Sequence, residues 1–369
     1  MTRALRIVQG MHWDAGLEVC LPGRPRLHCG PQPAVACWHF HDGRALSRIA
    51  RNPELALGET YMEGAWDAHG APLAVLLGVL MRAAGVAGQA RGRLACLLAG
   101  ALQQWNRVRA SQRNVARHYD LPDWLFERFL DADRHYSCAY FRTPGLTLEQ
   151  AQQAKVAHLR AKLLLAPGMR VLDIGCGWGS LALALARDAG VHVTGITLSA
   201  DQHAHACARA RALGLDGQVR FALEDYRQHR GRYDRVVSVG MFEHVGRPWH
   251  ARYFRAVRDF LPADGAALVH SITRLGPPGI TNAWVRRYIF PGGYNPSLSE
   301  LVAGAERGGL MVGDVEVWRG HYAHTLAAWQ TRFQAARAEV AARLGERFAR
   351  MWEFYLAAAE AAMRDGDLA

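Results

Sequence analysis

The chain has almost no lysine: Lys155 and Lys162 are the only two among 44 basic residues. It has no Cys-x-x-Cys pair. Its seven cysteines, at 20, 29, 37, 96, 138, 176 and 207, are scattered and odd in number. That pattern argues against a disulfide framework and a zinc site, so no metal is predicted. No run of about 18 apolar residues occurs. The longest, Ala71–Met81, disfavours a membrane span. The opening Met-Thr-Arg-Ala-Leu-Arg lacks the apolar region of a signal peptide. Acid is missing between 68 and 119, where seven arginines stand at 82, 91, 93, 107, 109, 113 and 117. A basic surface beside the apolar runs Ala71–Met81 and Leu94–Leu102 suits an anionic membrane face. A solvated basic face beside a buried helix fits the same residues. Nucleic acid is the other partner for such charge, but no nucleic-acid motif is present.

What is present is length, with 369 residues and half of them hydrophobic, enough for two domains. The net charge is +11. Prolines at 22, 25, 31 and 33 break the first 45 residues into turns and short strands. Helical patterning from Gly43 to Ala65 completes a small α+β domain ending near residue 95, followed by a basic connection over 96–120. A helix is predicted over Asp123–Leu130 and another over Thr147–Leu165, with Thr147 and Gln150 as its cap. Strands then fall at 170–174, 191–196, 219–222, 234–240 and 266–272, with helices at 178–189, 200–213 and 248–260. This alternation predicts an α/β, Rossmann-like, doubly wound parallel sheet. The Gly/Pro-rich stretch from 273 suggests a lid inserted over 273–310 in a domain spanning 121–369. A further strand is predicted at 311–318, then helices from Thr325 onward.

The chain is organised around Val171–Gly179, Val-Leu-Asp-Ile-Gly-Cys-Gly-Trp-Gly. Apolar residues lead into Asp173, glycines follow at 175, 177 and 179, and a helix begins at Ser180. Such a turn brings backbone close to a ligand; a tight βα turn with no ligand reads the same way. A dinucleotide site needs Gly-x-Gly-x-x-Gly and an acid closing the second strand. Here the second strand ends in Thr197-Leu-Ser199, so the spacing points to S-adenosylmethionine. Thr197, Ser199 and Gln202 are placed for its ribose, and Asp225, after the third strand, for its adenine.

Several stretches together resemble the cyclopropane-fatty-acyl-phospholipid synthase family, whose methyltransferases include the mycolic acid cyclopropane synthases. They are Tyr136-Ser-Cys-Ala-Tyr-Phe141, Asp173–Gly179, Gly195–Ser199 with Gln202, Met241-Phe-Glu-His-Val-Gly246 and Ile289-Phe-Pro-Gly-Gly293. Asn52–Gly64 also looks like the extra domain of the long bacterial members. The resemblance implies a class I methyltransferase fold. It implies methylene transfer from S-adenosylmethionine to the cis double bond of an unsaturated phospholipid acyl chain. The donor site it implies comprises Tyr136, Ser137, Gly175, Cys176, Gly177, Thr197, Leu198, Ser199, Gln202, Glu224 and Asp225, with Asp173 before the turn. A bicarbonate ion is implied on Cys138, Glu243, His270 and Tyr322, with the backbone of Ile272. Also implied are a homodimer and a place on the cytoplasmic membrane's inner face. Without the resemblance, Cys138 reads as a small apolar filler and His270 as a core histidine. Methylation without ring closure, or of a small-molecule amine, stays open. Met351–Met363 has alanines at 357–359 where many relatives carry cysteine, so no thiol there serves as a base.

Overall fold

Trp284 explains a division of the chain that linear order hides. Its indole is fully buried against Gly58, where a Cβ would lie 2.4 Å from the Trp284 ring nitrogen. Tyr288 donates to Glu59 at 2.8 Å. A computed structural model, describing residues 3–88 and 121–369, resolves two discontinuous units. The first holds 3–88, 282–289 and 322–368; the second holds 121–281, 290–321 and 369. The domain read as 121–369 is therefore split. The short helix Ala283–Tyr288 and the helix Glu346–Arg364 group with the N-terminal sheet, and the stretch read as a lid is shared out. The basic connection at 96–120 lies outside the described residues.

In the first unit a helix, Arg3–Gln9, precedes four strands: β1 (Gly16–Cys20), β2 (Leu27–Cys29), β3 (Ala34–Phe40) and β4 (Trp66–His69). Their order is β2-β1-β3-β4, with β1 and β3 parallel. Alternation along β3 buries Ala36, Trp38 and Phe40 and turns Cys37 and His39 to the other face. Trp38 meets Phe40 and Trp66 at ring separations of 4.7 and 5.7 Å. The Arg350 guanidinium lies 4.1 Å over the Tyr61 ring and donates to the Trp66 carbonyl at 2.9 Å. The apolar run from Ala71 forms the helix Leu73–Gly88, whose Leu76, Leu77 and Val79 are core. Arg82 is held by Asp14 at 2.7 Å and Asp365 at 2.6 Å. This part of the basic, apolar stretch is thus core and ion pair. No described helix is long and apolar enough to cross a membrane.

The second unit carries five parallel strands: β5 (Arg170–Ile174), β6 (His192–Thr197), β7 (Val219–Leu223), β8 (Arg235–Val239) and β9 (Ala266–His270). The order β7-β6-β5-β8-β9 reverses direction at β5, the switch point where open α/β sheets bind ligands. Each strand lies within two residues of its predicted span at either end. Val171 and Leu172 of β5 have no exposed surface, as a strand covered on both faces requires. The helix Leu148–Lys162 starts with the predicted capping box of Thr147 and Gln150.

The strand predicted at 311–318 is absent. The segment has no regular secondary structure, and no β-ladder involves it among the described residues. Ion pairs hold it instead: Lys162 binds Asp314 and Glu316, and His158 meets Glu316 at 2.8 Å. Its apolar side chains, Met311, Val315 and Val317, remain exposed.

Candidate active site

The turn after β5 opens a cleft at the carboxyl ends of the strands. Gly175 has φ +82°, and a Cβ there would strike the Met241 side chain at 2.6 Å. Gly177 has φ +54°, yet a Cβ would meet nothing nearer than Gln202 at 4.0 Å. The first glycine is demanded by packing; the second faces open space in the cleft. Asp173 is buried beneath the turn, and burial pushes its carboxyl up to about 7. Its Oδ2 has no hydrogen-bond partner.

Around this turn the cleft gathers Tyr136, Ser137, Cys176, Thr197, Leu198, Gln202, Glu224 and Asp225. Ser199 does not line it. Its hydroxyl caps the next helix, accepting from the Gln202 backbone N–H at 3.3 Å. Thr197 donates to the Gln202 side chain at 3.3 Å, fixing that amide at the cleft wall. Asp225 is buried and grips Arg227 through both oxygens, at 2.8 and 2.6 Å. Glu224 pairs with His229 at 2.6 Å. Cys176 is buried and its thiol is held well above its ordinary value, so it is inert packing.

A second group lies at the ends of β8 and β9. Glu243 follows β8 in a short 3-10 turn, Phe242–His244. Its Oε1 accepts the Ile272 backbone N–H at 2.7 Å; its Oε2 is buried without a partner. Burial lifts its carboxyl to about 7, against the pull of that N–H. The Tyr294 N–H fixes the Glu243 carbonyl at 2.8 Å. His270 ends β9. Burial, then the charge of Lys155, lowers it to about 4, and its Nδ1 is likewise unpartnered. Cys138 is buried and donates to the Ala139 carbonyl at 3.3 Å. Tyr322 belongs to the first unit, on the helix Arg319–Leu344, with its ring edge-on to Trp329.

Sequence reasoning missed Lys155. It is fully buried, donates to the Ser137 hydroxyl at 2.9 Å and interacts electrostatically with both Cys138 and His270. Burial lowers it to about 8. Its signal was available, since it is one of two lysines and sits on the apolar face of its helix. His135 was also missed. It lines the cleft beside Tyr136, its backbone and ring bound by Asp131 at 2.8 and 2.9 Å. His244, also lowered to about 4 by burial, completes the wall.

Residues fit a cationic donor here: an orphaned buried carboxylate oxygen, a glycine facing open space, and hydrogen-bonding groups from β6 and β7. The fold and this cleft define an S-adenosylmethionine-dependent methyltransferase. The chain belongs to the mycolic acid cyclopropane synthetase family, whose sequence profile matches residues 106–369. It is 39% identical to a cyclopropane-fatty-acyl-phospholipid synthase of Escherichia coli over 326 residues, 88% of this chain and 83% of that protein. It is 37% identical to the tuberculostearic acid methyltransferase UfaA1 of Mycobacterium tuberculosis, covering 91% of this chain and 82% of that one. A mycolic acid cyclopropane synthase, CmaA1, solved with SAH and CTAB, superposes with a TM-score of 0.65 at 34% identity. That match covers 70% of this chain and 95% of the solved one.

Proposed function

We propose that the enzyme transfers a methylene from S-adenosylmethionine to the cis double bond of an unsaturated phospholipid acyl chain, closing a cyclopropane ring. The observation that carries this reading is Glu243, with one oxygen tied to Ile272 and the other buried, bare and raised to about 7. The E. coli relative's name states this product class.

An alkene is a weak nucleophile, so the residues must position it and exclude water. Addition of the methyl leaves a cation on the acyl chain, and ring closure requires loss of one proton from that methyl. The donor supplies the electrophilic methyl; a bicarbonate, when bound, supplies the proton acceptor. Glu243 Oε2 and His270 Nδ1 are the unpartnered groups suited to hold that ion. Glu243 takes up the proton as the carboxylate, and neutral His270 orients through Nδ1. Ile272 acts by its N–H, which fixes the Glu243 carboxylate. Lys155 sets Ser137 and adds to the burial that keeps His270 neutral. The parts given to Cys138 and Tyr322 rest on the family resemblance. So do a homodimer and peripheral binding to the inner face of the cytoplasmic membrane.

The test is mass spectrometry of lipids after incubation with S-adenosylmethionine and vesicles of unsaturated phospholipid. A gain of one CH₂ with loss of the double bond and no branching is expected. A methyl-branched or methylene chain would replace this reading with the second one, which the relatedness to a tuberculostearic acid methyltransferase supports. Unmodified lipid would refute both.

A further inference from the structure

The half-buried face of the N-terminal sheet gathers side chains that the methyl-transfer reaction does not use. β1 and β3 run parallel with Glu18 opposite Cys37 and Cys20 opposite His39. Val19 and Trp38, between them, are core, so the four flanking residues share the opposite face. Ligand atoms of Glu18, Cys20 and Cys37 all lie within 4.8 Å of one another, and the two sulfurs are 3.1 Å apart. His39 has a buried Nδ1 with no hydrogen-bond partner. Its ring packs between those of His41 and His69, at 4.8 and 4.9 Å. Among the described residues Glu18 is held by Arg26, an exposed pair at 3.3 Å that yields readily.

We propose that Cys20, Cys37, Glu18 and His39 form a binding site for a zinc-class ion, distinct from the methyltransferase cleft. The donor set is two thiols, a carboxylate and an imidazole, which suits a thiophilic tetrahedral cation. Zinc–sulfur bonds of about 2.3 Å place two tetrahedral thiolates roughly 3.8 Å apart, so the sulfur pair must open by under about 1 Å. His39 stands opposite Cys20 across the ladder and supplies an unpartnered ring nitrogen on the same face. Sequence spacing concealed the site because Cys20 and Cys37 stand on different strands. Binding releases both thiol protons to solvent and changes no oxidation state. Affinity therefore falls as pH is lowered.

The experiment is a Co²⁺ titration of the full-length, reduced, chelator-stripped protein, followed by Zn²⁺ competition. A thiolate-to-cobalt charge-transfer band with tetrahedral d–d bands is expected, saturating at one ion per chain and bleached by Zn²⁺. Cys20→Ser and Cys37→Ser lose the band; Cys29→Ser and Cys207→Ser keep it. His39→Gln weakens Co²⁺ binding by roughly 10-fold or more and alters the d–d bands. Absence of the band in the wild-type protein overturns the proposal without reliance on any variant. Survival of the band in the Cys20→Ser/Cys37→Ser double variant does so too, as does isolation of a reductant-resistant Cys20–Cys37 disulfide.

Discussion

The two halves of the catalytic unit's site are built differently. The donor half grows from one local turn, where Asp173, Gly175 and Gly177 stand within five residues and neighbouring strand ends add hydrogen-bonding groups. The proposed acceptor half draws on four separate segments: the loop with Cys138, the turn with Glu243, the end of β9, and Lys155 on its helix. Yet both contain one buried carboxylic acid lifted to about 7 with a bare oxygen. A cationic donor can discharge the strain at Asp173. In the proposed reaction the elevated proton affinity of Glu243 is itself the working property.

The sharpest way to separate the halves is Glu243→Gln. Turnover should fall by about 100-fold or more, the scale of a lost general base, while donor affinity measured by calorimetry stays within a few-fold. Near-normal turnover would break the assignment of the acceptor half. Gly175→Ala should come next. The positive φ and the clash with Met241 should cost roughly 1–3 kcal/mol of stability and lower donor affinity. Gly177→Ala has room for its methyl, so donor affinity should drop with only about 1 kcal/mol lost in thermal unfolding. Equal stability losses in the two variants would erase the distinction between a packing glycine and a ligand-facing one.

The pH dependences sharpen the same contrast. In the proposed mechanism Glu243 acts as a carboxylate, so kcat/KM should rise as pH passes about 7. Asp173 has a folded pKa above its unfolded value, so its burial costs stability as pH rises from about 4 to about 7. Asp173→Asn should remove that loss in urea unfolding above pH 7, by at most about 4 kcal/mol. Donor binding at pH 6 should release a proton, visible as a buffer-dependent heat; no buffer dependence would deny Asp173 its part. The smallest effect is expected from Lys162→Ala. Its pairs with Asp314 and Glu316 are partly exposed, so about 0.5 kcal/mol should be lost, and less in high salt.

The donor half was legible because its signals are local. The strand β5, the glycine spacing and the absence of an acid at Thr197 all lie within a short stretch. The five parallel strands were legible because alternation with helices leaves few topologies. Long-range features were not. Trp284 seeks out Gly58 across 226 positions of chain, which no periodicity announces. Segment 311–318 has the composition of a strand, but a strand needs a partner, and charge pairs to Lys162 and His158 claimed it instead. The Cys20–Cys37 pair became visible only when the strand faces were known.

The 311–318 segment has a bearing on colloidal behaviour. Valines at 312, 315 and 317 give it the propensity of an aggregation-prone strand, while Asp314 and Glu316 interrupt them as acidic gatekeepers. The same two acids that anchor the segment to the helix Leu148–Lys162 also keep it from being a template for another chain. Its solubility and its attachment are therefore governed by one pair of charges. Acid pH or high ionic strength weakens both together, and purification at low salt and neutral pH protects both.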